Sequence, residues 1–270
     1  MEKVKQLIIK HSLDIIKMLS WNKLYDNINK YRNVIYHSIP KCISFLYTCI
    51  NIPKKSTEIP SFISSVLIHT LFIHTISPNK TQVPLSIKDK CVILINLLLT
   101  KFTSDVFIRS VGDRITNVSN YNDINIKEAL YPVLWVLVHE IYFFNVHRIL
   151  HQPFIYRKCH KMHHKFKVTS VFTSFYSHVF DHLFAVILSV VIGPFLQMYI
   201  LDVSVSTPVI SIWFASSLIT FISSHHTIIG DDDITHGTEH FIHHQKSQFN
   251  LGNFGYLDKL LGTHDYYNEY

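Results

Sequence analysis

The sequence predicts an all-α, multi-pass membrane protein with about four transmembrane helices and a histidine-rich helical cap on the cytosolic side. Three observations carry this. The 270 residues are 48% hydrophobic and only 16% charged, whereas a soluble domain usually carries about 25% charged residues, so much of the surface faces something other than water. Several apolar stretches approach the roughly 20 residues that cross a bilayer. The third is histidine: 19 of them, as many as Asp and Glu together, most of them clustered beside those stretches.

Residues 1–58 read as an N-terminal amphipathic and basic region. Its opening, MEKVKQLIIKHSLDIIKMLSW, threads charges through apolar residues and has no uninterrupted signal-peptide core. Residues 59–270 form the membrane-embedded domain. The spans begin with Ile59–Ser77; the next, starting at Cys91, is compromised by Lys101 and Asp105. Ala129–Val146, Leu183–Leu201 and Pro208–Ser223 follow. Only Asp202–Thr207 separates the last two, which predicts a helical hairpin that enters and leaves on one side. The polar blocks 147–182 and 225–270 then share a compartment, and they hold nearly all the clustered histidines.

The formal charge of +6, beside long apolar runs, points to an anionic membrane face rather than nucleic acid. Both the N-terminal region and the block with Arg148, Arg157, Lys158, Lys161, Lys165 and Lys167 are basic, and the positive-inside rule wants both in the cytosol. Treating the Cys91 segment as a partial span satisfies that rule and leaves four full spans. Cys42, Cys49, Cys91 and Cys159 form no CxxC pair, so neither a disulfide framework nor a thiolate zinc site is indicated.

The histidines fall into boxes. His147 and His151 form HxxxH, four apart and on one helical face. His160, His163 and His164 form HxxHH, as do His240, His243 and His244 after the hairpin. His178 and His182 repeat HxxxH just before the hairpin, and His225–His226 follow it. One such box is more often chance; together, on one side of a hairpin, they supply enough imidazoles for two metal ions. Neutral nitrogen donors without thiolates suit iron, zinc, copper or nickel. His139–Glu140 lacks the second His of HExxH, and no GxSxG, P-loop or GxGxxG occurs. Asp231–Asp233 lacks EF-hand spacing and reads as a solvated loop. A metal transporter would place its ligands inside the spans, near the midplane; these lie mainly outside.

At these boxes the chain resembles the fatty acid hydroxylase and sterol desaturase superfamily. The matching text is EIYFFNVHRILH, YRKCHKMHHKF, SFYSHVFDHLF, GTEHFIHHQ and NFGYLDKLLGT, which together cover about residues 129–264. EHFIHHQKSQFNLGNFG looks nearest to the sterol methyl oxidase branch. The resemblance implies a hydroxylase domain with a non-haem centre of two iron ions, facing the cytosol from the endoplasmic reticulum. Its members oxidise C–H bonds of sterols, fatty acyl chains or sphingoid bases with O₂. The implied partners are a lipid substrate, the membrane, O₂ and a separate electron donor such as cytochrome b5 and its reductase, with no nucleic acid. By matched position, the implied ligands are His147, His151, His160, His163, His164, His240, His243 and His244, with His178 and His225 added from the sterol-oxidising pattern. The chain departs from that pattern at Val179, at Asn145 and after His225. A member that keeps the metal but has lost turnover is the alternative.

Glu140, Asp181 and Glu239 are candidates to orient imidazoles through their second nitrogen, against an ordinary interfacial role. Asp258 reads as a local cap or salt bridge. His69 and His74, inside the first span, read as helix–helix hydrogen-bonding groups, and His11, His37 and His264 as surface residues.

Overall fold

The computed structural model describes residues 39–76, 84–120, 124–167, 169–225 and 239–265, and these, Ile39 apart, belong to one compact unit, Pro40–Tyr270. His226 and Asp231–Asp233 lie outside the described residues. Among the described residues, five helices are long and apolar enough to cross a membrane. They are α2 (Ile59–Ile76), α3 (Ile87–Ser110), α4 (Tyr131–Leu150), α6 (Val179–Ile200) and α7 (Thr207–Ser224). A shorter apolar helix, α1 (Ile39–Ile50), precedes them. The cap contributes α5 (Pro153–Lys158), α8 (Glu239–Gln245) and α9 (Tyr256–Leu261).

The Cys91 segment corrects the expectation of a partial span: α3 is a continuous helix of 24 residues. Ser86 and Asp89 form a reciprocal capping box at its start, which satisfies amide donors that no helical carbonyl can reach. Lys101 and Asp105, one turn apart, bond to each other. The two charges that compromise the span in sequence thus neutralise one another on one face.

Two tethered ends set the direction of every helix. At one end, two-residue strands β1 (Ile115–Thr116) and β2 (Val205–Ser206) pair in parallel. There Ser206 N–H donates to Glu128 Oε2 at 2.8 Å, Ser56 N–H to Asn117 Oδ1 at 2.7 Å and Tyr199 Oη to Ser110 O at 2.7 Å. At the other end, Lys165 of the histidine cap bonds Asp89 at the start of α3. Helices α2, α4 and α7 therefore run toward the cap, and α3 and α6 run away from it. The predicted hairpin is present as α6 and α7.

Helix α6 is not a uniform α-helix; π turns occupy His182–Ile187 and Leu196–Ile200. Pro194 lies between them and has no N–H to give the carbonyl of Val190. Trp213 Nε1 donates to that carbonyl instead, at 2.8 Å, which pins α7 to α6. The main core joins α2, α3, α4 and α7 through Ile59, Val66, Ile93, Ile108, Trp135, Ile210 and Ile222. Large apolar side chains such as Ile68, Phe102, Leu137 and Ile200 are exposed on the outer faces of the long helices, as a hydrocarbon surround favours.

Candidate metal centre

Two groups of imidazoles meet under the cap. His147, His151, His160, His164 and His243 form one, and His163, His225, His240 and His244 the other; within each group the candidate ligand atoms lie within 4.8 Å of one another. His147 and His151 come from the last turn of α4 and its C-cap. His160, His163 and His164 lie on a tight 3-10 turn, His160–Lys165, rather than on an α-helix. His225 caps α7, and α8 carries His240, His243 and His244. All but His151 are buried. The groups adjoin, with His164 and His244 rings 4.8 Å apart.

The hydrogen positions can be deduced. His147 Nδ1 lies 2.7 Å from Leu251 O, and His160 Nδ1 lies 2.8 Å from a carboxylate oxygen of Asp181. Carbonyls and carboxylates only accept, so each Nδ1 carries the hydrogen. His243 is fixed in the same way by Phe249 O at 2.7 Å, His225 by Phe221 O at 3.0 Å and His163 by Tyr176 O at 3.4 Å. Burial, reinforced by neighbouring imidazoles, holds His160, His240, His243 and His244 well below the ordinary imidazole range. His151 is lowered to about 4 and His225 to about 3, burial again being the main cause. The rings are neutral, and each fixed ring presents a bare Nε2 lone pair.

Those lone pairs point at each other. His147 Nε2 and His160 Nε2 are 3.0 Å apart, yet neither has a hydrogen to offer. His160–His164, His151–His243 and His164–His243 are each 3.1 Å apart, and His225–His240 are 3.0 Å apart. His147 and His160, both fixed as acceptors, repel at this distance unless a cation lies between them, and in each of the other four pairs one ring is fixed as an acceptor. Metal–nitrogen bonds of about 2.1 Å at right angles place neighbouring nitrogens about 3.0 Å apart, which is the spacing seen. Both nitrogens of His244 and the Nδ1 atoms of His164 and His240 are buried without a hydrogen-bond partner. The donor set fits two metal ions.

Nine of the ten histidines named from the sequence come together here. His178 does not: it caps the start of α6, its Nδ1 accepting the Phe180 N–H at 3.3 Å. His182 lies outside both groups as well, bonded to Thr100 Oγ1 at 2.7 Å. Of the carboxylates, Asp181 orients His160, as proposed for it. Glu140 does something else: it accepts the backbone N–H groups of Asn253 and Phe254 at 3.0 and 3.1 Å. Asp258 takes those of Leu251 and Gly252 at 2.8 and 2.7 Å. Together they hold the turn whose Leu251 carbonyl fixes His147. Glu239 bonds His264 at 3.0 Å, and that histidine, read from sequence as a surface residue, is nearly buried. His69 stacks on Tyr47 with ring centroids 4.0 Å apart, and its Nε2 is buried without a hydrogen-bond partner.

His139, weighed in the sequence only as part of an incomplete HExxH, lies against the site. Its Nδ1 donates to Ser189 O at 3.1 Å and its Nε2 accepts from Asn253 Nδ2 at 3.3 Å. It lines a cavity of about 260 Å³ that opens from His147, His160, His163, His225 and His240 down between α4, α6 and α7. Its position eight residues, about two turns, before His147 places both on one face of α4 and was the available signal. The cavity walls are mostly apolar, with Val136, Phe143, Val186 and Phe221 among them.

The family model described as fatty acid hydroxylase matches residues 132–263. That span runs from α4 to just beyond α9 and includes all nine grouped histidines. No solved structure matches the chain.

Proposed function

Since the chain belongs to the fatty acid hydroxylase family through residues 132–263, we propose that it is an O₂-dependent di-iron hydroxylase or desaturase. Its substrate on this reading is a C–H bond of a sterol or of a fatty-acyl lipid of the sphingolipid type. The observation that carries the reading is the pair of converging imidazole groups opening directly into an apolar-walled cavity. Bound iron, drawing on O₂ and electrons, supplies the oxidising power that an aliphatic C–H bond demands and no side chain possesses.

The chain's own residues do the rest. Leu251 O, Asp181, Phe249 O and Phe221 O hold His147, His160, His243 and His225 in the tautomer that presents Nε2. Phe143, Ala185 and Phe221 keep water from the reacting carbon and align the lipid against the histidines. A separate electron donor such as cytochrome b5 and its reductase, a place in the endoplasmic reticulum and a cytosolic cap complete the proposal; the basic residues of the cap support that orientation, while Lys54 and Lys55, before α2, lie at the opposite end and count against it.

The test is metal content of detergent-purified protein, with spectroscopy for a coupled di-iron centre. About two irons per chain are expected. Fewer than one after reconstitution overturns the centre, and two irons without reductase-supported oxidation of any lipid overturns the enzyme.

A further inference from the structure

The cavity has a floor. Val136, Val190 and Trp213 are its lining residues farthest along α4, α6 and α7 from the histidines. Below them the three helices close. A Cβ on Gly193 would stand 3.0 Å from Trp135, so α4 and α6 meet there almost backbone to ring. Trp135 lies edge-on to Trp213 at 5.5 Å and donates from Nε1 to Gln197 Oε1 at 2.9 Å. Trp135, Gly193 and Gln197 themselves do not line the cavity. The indole of Trp213 is thus backed by Trp135 and tied to Val190 O, the carbonyl that Pro194 leaves free. A bulky side chain held on two sides makes a rigid stop.

The depth follows from helix geometry. Eleven residues of α7 separate Trp213 from Ser224, the last lining residue before His225, which at 1.5 Å per residue is about 16 Å. An extended zigzag chain advances about 1.2 Å per bond, so the distance corresponds to about 13 bonds.

We propose that Trp213 is the specificity-determining stop of this cavity: an unbranched hydrocarbon chain enters methyl end first, rests on the indole, and so presents to the histidines a carbon about 12–14 from its methyl end. The proposal rests on the oxidase reading for the identity of the histidine end, but not for the occupancy of the cavity.

Binding tests it without turnover. The probes are octadecanoic acids carrying a bromine pair near the methyl end or near the carboxyl end, added to detergent-purified protein. The Trp213 signal is the difference between wild type and Trp213→Phe. Methyl-end bromines should quench it several-fold more than carboxyl-end bromines. Equal quenching, no quenching, or quenching only by a brominated sterol overturns the stop. In a second arm, unlabelled acids of increasing length compete for binding. Trp213→Ala should move the preferred length up by about two to four carbons, with Trp213→Leu, which keeps more of the volume, moving it less; an unchanged optimum overturns the proposal. The expected quenching pattern in a protein that oxidises no lipid leaves the stop standing and rejects the oxidase.

Discussion

Asp181 accepts the Nδ1–H of His160 at 2.8 Å, with both side chains no more than 3% exposed. A buried carboxylate without a cationic partner is costly, and here the imidazole it faces is held neutral by burial. The arrangement makes sense once the other nitrogen of His160 binds a cation, because the carboxylate then raises that nitrogen's basicity and fixes its direction. Asp181→Ala should weaken metal binding by about 10–100-fold, measured by competition with a chelator. Asp181→Asn, whose amide oxygen can still accept the hydrogen, should lose less. An affinity within twofold of wild type in the alanine variant would end this role for Asp181.

The two imidazole groups can be separated by mutation. His243 belongs to one and His163 to the other. Each change to alanine should remove at least one metal per chain and abolish lipid oxidation. His178→Ala and His69→Ala should keep the full metal content, since neither residue joins a group. Metal analysis alongside a lipid-oxidation assay reads both, and retained activity in either His163→Ala or His243→Ala would sink the assignment.

Much of this was legible in the sequence because box spacing and hairpin topology are local patterns. The hairpin of α6 and α7 needed only two apolar runs and a short connection, and it brings His160 within reach of the helix that carries His240. The count of spans was harder. Lys101 and Asp105 argue against a span until their pairing is known, and one-turn pairing is invisible to a tally of charges. The tautomers were out of reach altogether. Leu251, Phe249, Phe221 and Tyr176 act through backbone carbonyls, which any residue type supplies. From its place on the helix of His147, Glu140 is a candidate imidazole partner or an ordinary interfacial carboxylate, and the sequence does not show that a turn 113 residues later claims it.

The depressed imidazoles fix the sign of a pH effect. In the unfolded chain a histidine titrates near 6.5, while burial lowers His151 to about 4 and His225 to about 3 in the fold. Between those values the unfolded state binds more protons, so the metal-free fold loses stability as pH falls from about 6.5 toward 4. Above about 7 the effect vanishes. Melting temperatures of the chelator-treated protein should drop steadily across that window, and metal should shift the drop to lower pH because it competes with protons for the same nitrogens. A melting temperature that stays flat between pH 7 and 4 would contradict the buried, neutral cluster.

The turn at residues 251–254 ties metal geometry to the C-terminal segment. Asp258 receives the N–H groups of Leu251 and Gly252 and the hydroxyl of Thr263, while Glu140 receives those of Asn253 and Phe254. Gly255 and Gly262 flank α9 with φ of 72° and 70°, a left-handed backbone that other residues adopt only with strain. Gly252 has a different reason to be small: a Cβ there would lie 2.6 Å from Glu140 Oε1 and 2.8 Å from Asp258 Oδ2. Gly252→Ala must therefore push one carboxylate off its backbone donors, at a cost of about 1–3 kcal/mol. The displacement should also reach His147 through the Leu251 carbonyl, 2.7 Å from its Nδ1. Two readouts are expected to move together, a lower melting temperature and weaker metal binding in the group that contains His147. Asp258→Asn, which removes a charge but adds no atom beyond the space Asp258 fills, should produce the same pair of changes in milder form. Loss of stability with metal affinity unchanged would separate the turn from the metal centre and show that His147 needs no support from Leu251.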